Sequence, residues 1–189
     1  MKRSEINEAV RSSTKCFQQN GWKLPPQPRW DITDFGLGNF TAYGLTLINL
    51  AEEKEYCEKL MYARYKQITP AHTHKKKKED IICRNGVLAI QLWDSHPEQG
   101  QHNSKIDIKI NGVFQKIKSG EIVTLQSGER ITLTPGIYHE FYPESEECII
   151  GEVSTHNDDN ADNYFANPEV GRFSEIDEDE PALVKLVSD

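Results

Sequence analysis

Four side chains in two short stretches have the types and spacing to hold one divalent metal ion. The segment 70–86 reads PAHTHKKKKEDIICRNG, with His72 and His74 two residues apart. On an extended chain, residues i and i+2 project to the same face, so both imidazoles can address one ion. Glu79 follows after four intervening residues, room for a short turn that returns a carboxylate to the same ion. In the segment LTPGIYHE, the Pro135-Gly136 turn delivers His139 at the start of a further strand. Three imidazoles and one carboxylate form a mixed nitrogen and oxygen set. It suits Mn²⁺, Fe²⁺, Co²⁺, Ni²⁺ or Zn²⁺ and leaves coordination positions open for water or substrate.

The rest of the chain has to position these groups. It has 189 residues and a net charge of −8, from 22 Lys+Arg against 30 Asp+Glu. That length suits one domain with a single core. The acidic balance argues against a nucleic-acid partner. No apolar run approaches the ~20 residues of a transmembrane helix, which argues against a membrane partner. The start, MKRSEINEAV, lacks the apolar stretch of a signal peptide. The expectation is a soluble cytoplasmic protein. Cys16, Cys57, Cys83 and Cys148 form no CxxC pair and are expected as buried, reduced thiols.

Residues 4–20 have the periodicity of one amphipathic helix, with Ser4 as its cap and Gly21 as its stop. Pro25, Pro26 and Pro28 then impose an extended link. From Trp30 onward the chain becomes short β-rich stretches at 40–50, 60–68, 87–93, 106–110, 113–117, 121–125, 130–133, 138–142 and 147–153. Turn pairs Asn85-Gly86, Asn111-Gly112, Ser119-Gly120 and Ser127-Gly128 separate several of them. This predicts an all-β sandwich or barrel. The single domain divides into a helix and link (1–29), a β unit (30–154) and an acidic C-terminal segment (155–189). Tyr164, Phe165, Phe173, Ile176, Leu183 and Val184 suit that last segment to lie over the β unit.

The metal-type stretch resembles the first motif of the cupin superfamily, G-x5-H-x-H-x3,4-E-x6-G, through His72, His74, Glu79 and Gly86, with Lys66 in place of the leading glycine. Gly136 and His139 match the second motif, while Pro135 stands one residue closer than in the pattern and Pro143 replaces its asparagine. A narrower resemblance runs through nearly the whole chain. Residues 1–7, the Leu24-Pro25-Pro26 link, 30–36, 44–47, 77–82, 135–139, 151–154, 157–159 and 162–163 are similar to the D-lyxose isomerase family. The resemblance implies a cupin β-barrel of jelly-roll type, with the four residues above as ligands. It also implies an Mn²⁺-assisted aldose–ketose isomerase acting on D-lyxose and D-mannose and working as a homodimer.

Such an isomerase must move a proton between C2 and C1 while an enediolate is stabilised. Lys77, two residues before Glu79, is a candidate for proton transfer, with its proton affinity lowered by a nearby ion. The competing view is a solvated run, Lys75 to Lys78. Glu152 lies in an otherwise apolar strand, where a charge is costly unless used or paired, and is the stronger candidate. Asp162 and Arg172 are candidates for the sugar pocket, against ordinary surface ion pairing. Trp30 and Phe35, with Asp31 and Asp34, could line its mouth, and Trp30 could equally cap the core. His96 and His102 fit loops, and His156 fits either a solvated loop or a place behind the site's own ligands. A cupin dioxygenase and a non-catalytic sugar-binding cupin share the same ligand set, and fold alone does not separate them.

Overall fold

The computed structural model describes residues 1–156, 161–171 and 174–189. One helix, α1 (Arg3–Gln19), precedes the strands β1 (Arg29–Thr33), β2 (Leu45–Glu52), β3 (Tyr56–Arg64), β4 (Thr69–Thr73), β5 (Glu79–Asn85), β6 (Val87–Trp93) and β7 (Lys105–Ile110). Then follow β8 (Val113–Lys118), β9 (Ile122–Gln126), β10 (Arg130–Leu133), β11 (Tyr138–Pro143), β12 (Glu147–Thr155) and β13 (Tyr164–Phe165). They form an eight-stranded sheet, β1-β2-β3-β12-β5-β10-β7-β8, and a five-stranded sheet, β13-β4-β11-β6-β9. The two sheets face each other as an open sandwich rather than closing into a barrel.

Two cores share the larger sheet. Alternate residues such as Leu47, Met61 and Ile150 point between the sheets. Their neighbours Ile48, Leu60, Tyr62 and Ile149 point outward onto Ile6, Val10 and Phe17 of α1. Each such side chain contributes roughly 1.5–3 kcal/mol by leaving water. Because β3 is buried on both faces, its polar alternation is weak. The strand therefore begins and ends four residues earlier than its composition suggests, with the extended chain resuming at β4.

The turn pairs have two different uses. Asn111 and Gly112, with φ of 51° and 81°, make a tight hairpin between β7 and β8. Asn85-Gly86 instead passes the chain from one sheet to the other, since β5 pairs with β10 and β12 while β6 pairs with β9 and β11. Gly86 has φ +96°, and a Cβ there would lie 2.6 Å from the Glu147 carbonyl oxygen, so the crossover requires glycine.

The helix starts one residue earlier than expected, and Ser4 is not its cap. The Lys2 N–H donates to the Glu5 carboxylate, and Ser4 Oγ donates to Asp179 at 2.7 Å. The acidic C-terminal run thus clasps the start of α1. Buried Arg3 also pairs with Glu178 at 2.6 Å and Asp189 at 3.0 Å. All four cysteines are buried and unbridged. No helix among the described residues is long and apolar enough to cross a membrane.

Candidate metal centre

The smaller sheet carries the imidazoles. His72 on β4 and His139 on β11 are cross-strand partners, and His74 follows two residues later on the same face. One ligand-capable nitrogen from each of the three lies within 4.8 Å of the others. Every ring is oriented from behind. His72 Nδ1 lies 2.7 Å from the Pro70 carbonyl, His74 Nδ1 2.6 Å from that of Asp162, and His139 Nδ1 3.2 Å from that of Ile137. A carbonyl only accepts, so each Nδ1 carries the hydrogen and each Nε2 presents a lone pair. Burial, then the neighbouring imidazoles His139 and His74, hold His72 well below the usual imidazole range. Burial also lowers His74, so both are neutral ligands at pH 7.

The larger sheet supplies the facing charges. Glu79 opens β5, and its Oε1 lies 3.0 Å from His139 Nε2 and 3.6 Å from His74 Nε2. Neither of those buried nitrogens has a hydrogen-bond partner. Lone pairs of two rings and a carboxylate therefore converge with no donor between them. A divalent cation satisfies this arrangement, and the residues fit one.

Lys77 Nζ lies 2.8 Å from Glu79 Oε2 and 3.0 Å from Glu152 Oε1, all three side chains being buried. Burial works against the charges in each case. For Glu79 the adjacent Lys77 outweighs it and holds the carboxyl well below its usual range; Lys59 and then Lys77 lower Glu152. For Lys77, Glu152 and Glu79 outweigh burial and raise the ammonium. Flanked by two carboxylates, Lys77 is held as an ammonium.

The sequence candidates separate at this point. His72, His74, His139, Glu79, Lys77, Glu152 and Phe35 line one cavity, with Thr33, Leu47, Lys59, Met61, Thr69, Asn163 and Phe165 among the others. Phe35, in a left-handed conformation with φ 57°, sets its ring against Phe165, which in turn lies 5.6 Å from the His72 ring. Trp30 does not reach the cavity. As a neighbour of cavity-lining strand residues it points to the other face of its sheet, into the core beneath α1. Arg172 lies outside the described residues.

Asp162 is near the site but does not face it as a sugar ligand would. Its carboxylate accepts the main-chain N–H groups of Lys75, Lys76 and Lys77 at 2.8, 3.1 and 2.8 Å. Its own carbonyl orients His74. Asp162→Ala should therefore leave three amides without their acceptor and weaken metal binding roughly 10–100-fold, as expected for loss of an outer partner of a ligand. Calorimetric Mn²⁺ titration of the folded variant checks this, and unchanged affinity would refute it.

Lys59 and Thr69 carry no site signal in the sequence analysis, and Asn163 and Phe165 enter it only as parts of the family resemblance and of the covering segment. Lys59 was findable, since it stands two residues before Met61 in a β-rich run and so shares its inward face. Nothing local marks the others. Thr69 Oγ1 and Asn163 Oδ1 are buried polar atoms of the cavity wall with no protein partner, available to a hydroxylated ligand.

Two facing antiparallel sheets, with a histidine cluster between them in the His-x-His…Glu pattern, define a cupin. The family model described as D-lyxose isomerase matches residues 27–189, and the chain belongs to that family. It is 37% identical to the D-lyxose/D-mannose isomerase of Escherichia coli O157:H7, covering 100% of this chain and 98% of that protein. With the D-lyxose/D-mannose isomerase of Serratia proteamaculans it shares 35% identity over 96% of this chain and 94% of that one. Among solved structures, the L-ribose isomerase of Acinetobacter sp. DL28 in complex with L-ribose superposes with a TM-score of 0.70 at 16% identity, covering 94% and 98% of the two chains. That likeness establishes the fold. The family membership makes the chain a sugar isomerase.

Proposed function

We propose that this protein is a divalent-metal-dependent aldose–ketose isomerase that interconverts D-lyxose and D-xylulose, and D-mannose and D-fructose. One observation carries the reading. A carboxylate–ammonium–carboxylate row, Glu79–Lys77–Glu152, abuts the inward lone pairs of the histidine cluster in one buried cavity. His72, His74, His139 and Glu79 would hold the ion, with Mn²⁺ the preferred candidate and Co²⁺, Zn²⁺, Ni²⁺ or Fe²⁺ as substitutes. When bound, such an ion supplies Lewis-acid polarisation of neighbouring substrate oxygens.

The protein's own groups account for the proton movements. Glu152, held as a carboxylate, takes the C2 proton of the open-chain aldose and returns it to C1. Lys77, an ammonium, hydrogen-bonds the substrate oxygens and exchanges a proton between O1 and O2, so the chain ends each turnover in its starting state. Thr69 and Asn163 meet hydroxyls further along the sugar, and Phe35 and Phe165 provide apolar surface for its C–H face. Following the family resemblance, the protein would work as a cytoplasmic homodimer.

The test is an anaerobic ketose assay. Chelator-stripped protein with D-lyxose should form no D-xylulose, and Mn²⁺ should restore formation. Absence of ketose from both sugars across several divalent ions would overturn the reading. Oxygen consumption would then favour a dioxygenase.

A further inference from the structure

The larger sheet places a second buried lysine against Glu152. Lys59 and Glu152 are direct cross-strand partners on β3 and β12. Both face the cavity, because each stands two residues from an inward core residue, Met61 and Ile150 respectively. Lys59 is 7% exposed, and its Nζ lies 3.5 Å from Glu152 Oε1. The same oxygen lies 3.0 Å from Lys77 Nζ. The order across the cavity is therefore Lys59, Glu152, Lys77, Glu79, with the charges alternating.

We infer that Lys59 is a positioning residue for proton transfer, keeping Glu152 ionised and in place so that Lys77 remains available to Glu79 and the substrate. This rests on the isomerase reading given above. Two buried carboxylates cannot share one ammonium without loss. Lys77 already contacts both Glu79 and Glu152; if Lys59 is removed, it must balance the two alone, and one carboxylate is left short of positive charge in a dry cavity. Glu79 has the histidine cluster and its ion beside it, so the deficit falls on Glu152. A Glu152 that takes up a proton, or turns with Lys77 toward it, is no longer a base aimed at C2. Lys59 thus acts on the reaction through Glu152.

This account separates Lys59 from an ion pair that serves stability alone. A structural pair would lower the melting temperature and leave turnover by the folded protein unchanged. A positioning residue lowers kcat while leaving KM and metal content near wild type.

The experiment compares wild type, Lys59→Met, Lys59→Arg, Glu152→Gln and the Lys59→Met/Glu152→Gln double variant, all Mn²⁺-loaded and assayed with D-lyxose. Wild-type turnover is measured first, since its absence would refute the isomerase reading itself rather than the role of Lys59. Given turnover, Lys59→Met should lower kcat by at least about tenfold, because a base displaced by even about 1 Å from the reacting carbon can cost up to about 100-fold. Lys59→Arg should retain more activity than Lys59→Met. In the Glu152→Gln background, Lys59→Met should cost little more, because residues acting as a unit are non-additive. If Lys59→Met does not fold, Lys59→Gln replaces it in the same cycle. Fully additive effects, or a change confined to KM, would overturn the inference.

Discussion

His74→Ala should abolish metal binding and, with it, ketose formation. The three rings present nitrogens within 4.8 Å of one another, Glu79 Oε1 stands beside those of His74 and His139, and each imidazole is pre-oriented by a main-chain carbonyl. Their worth lies in that fixed geometry. Removing His74 leaves three candidate ligands and frees the Asp162 carbonyl that held it. Lewis-acid polarisation is worth several kcal/mol of transition-state charge stabilisation. Its loss corresponds to on the order of 10³-fold or more in rate. A readout independent of activity is available. Mn²⁺ at about 1,000 times its dissociation constant should stabilise the wild-type fold by about 4 kcal/mol through mass action. The melting temperature of the wild type should therefore rise with Mn²⁺ and that of His74→Ala should not. Equal rises would show that the ion binds elsewhere.

Glu152→Gln should lower kcat by about 10²–10⁴-fold, the usual contribution of a general base, with metal content unchanged. The substitution keeps the shape of the side chain and removes its charge, and Glu152 is not among the residues placed as metal ligands. Lys77 and Lys59 hold it ionised against the cost of burial. If Glu152 carries the C2 proton, wild type working in D₂O should incorporate deuterium into the ketose at C1, and the variant should lose that exchange together with turnover. NMR of the product distinguishes the outcomes. Full activity in Glu152→Gln would remove this residue from proton transfer.

Much of this protein was determined by local sequence. The period of two in His72-x-His74 places both rings on one strand face whatever the strand pairs with. Pro135-Gly136 before His139 marks a turn for similarly local reasons, and Asn111-Gly112 makes its hairpin because the backbone there needs positive φ at both positions. An acidic residue in an apolar strand, Glu152, announces that something must compensate it.

What local pattern does not contain is the partner. Whether Asn85-Gly86 closes a hairpin or carries the chain between sheets depends on which strands lie alongside β5 and β6, and those arrive from residues 122–155. Trp30 has the composition of a sugar platform, yet the face of β1 it occupies is covered by α1. Asp162 has the chemistry of a sugar ligand, yet the amides of a loop more than eighty residues earlier use its carboxylate. The sign of the Lys77 shift was decided the same way. The carboxylates that raise its ammonium come from two different strands of the larger sheet. Residue type and spacing specify which groups share a face. Charge balance, orientation and access are sums over neighbours distant in sequence, and these exist only once the two sheets have closed on each other.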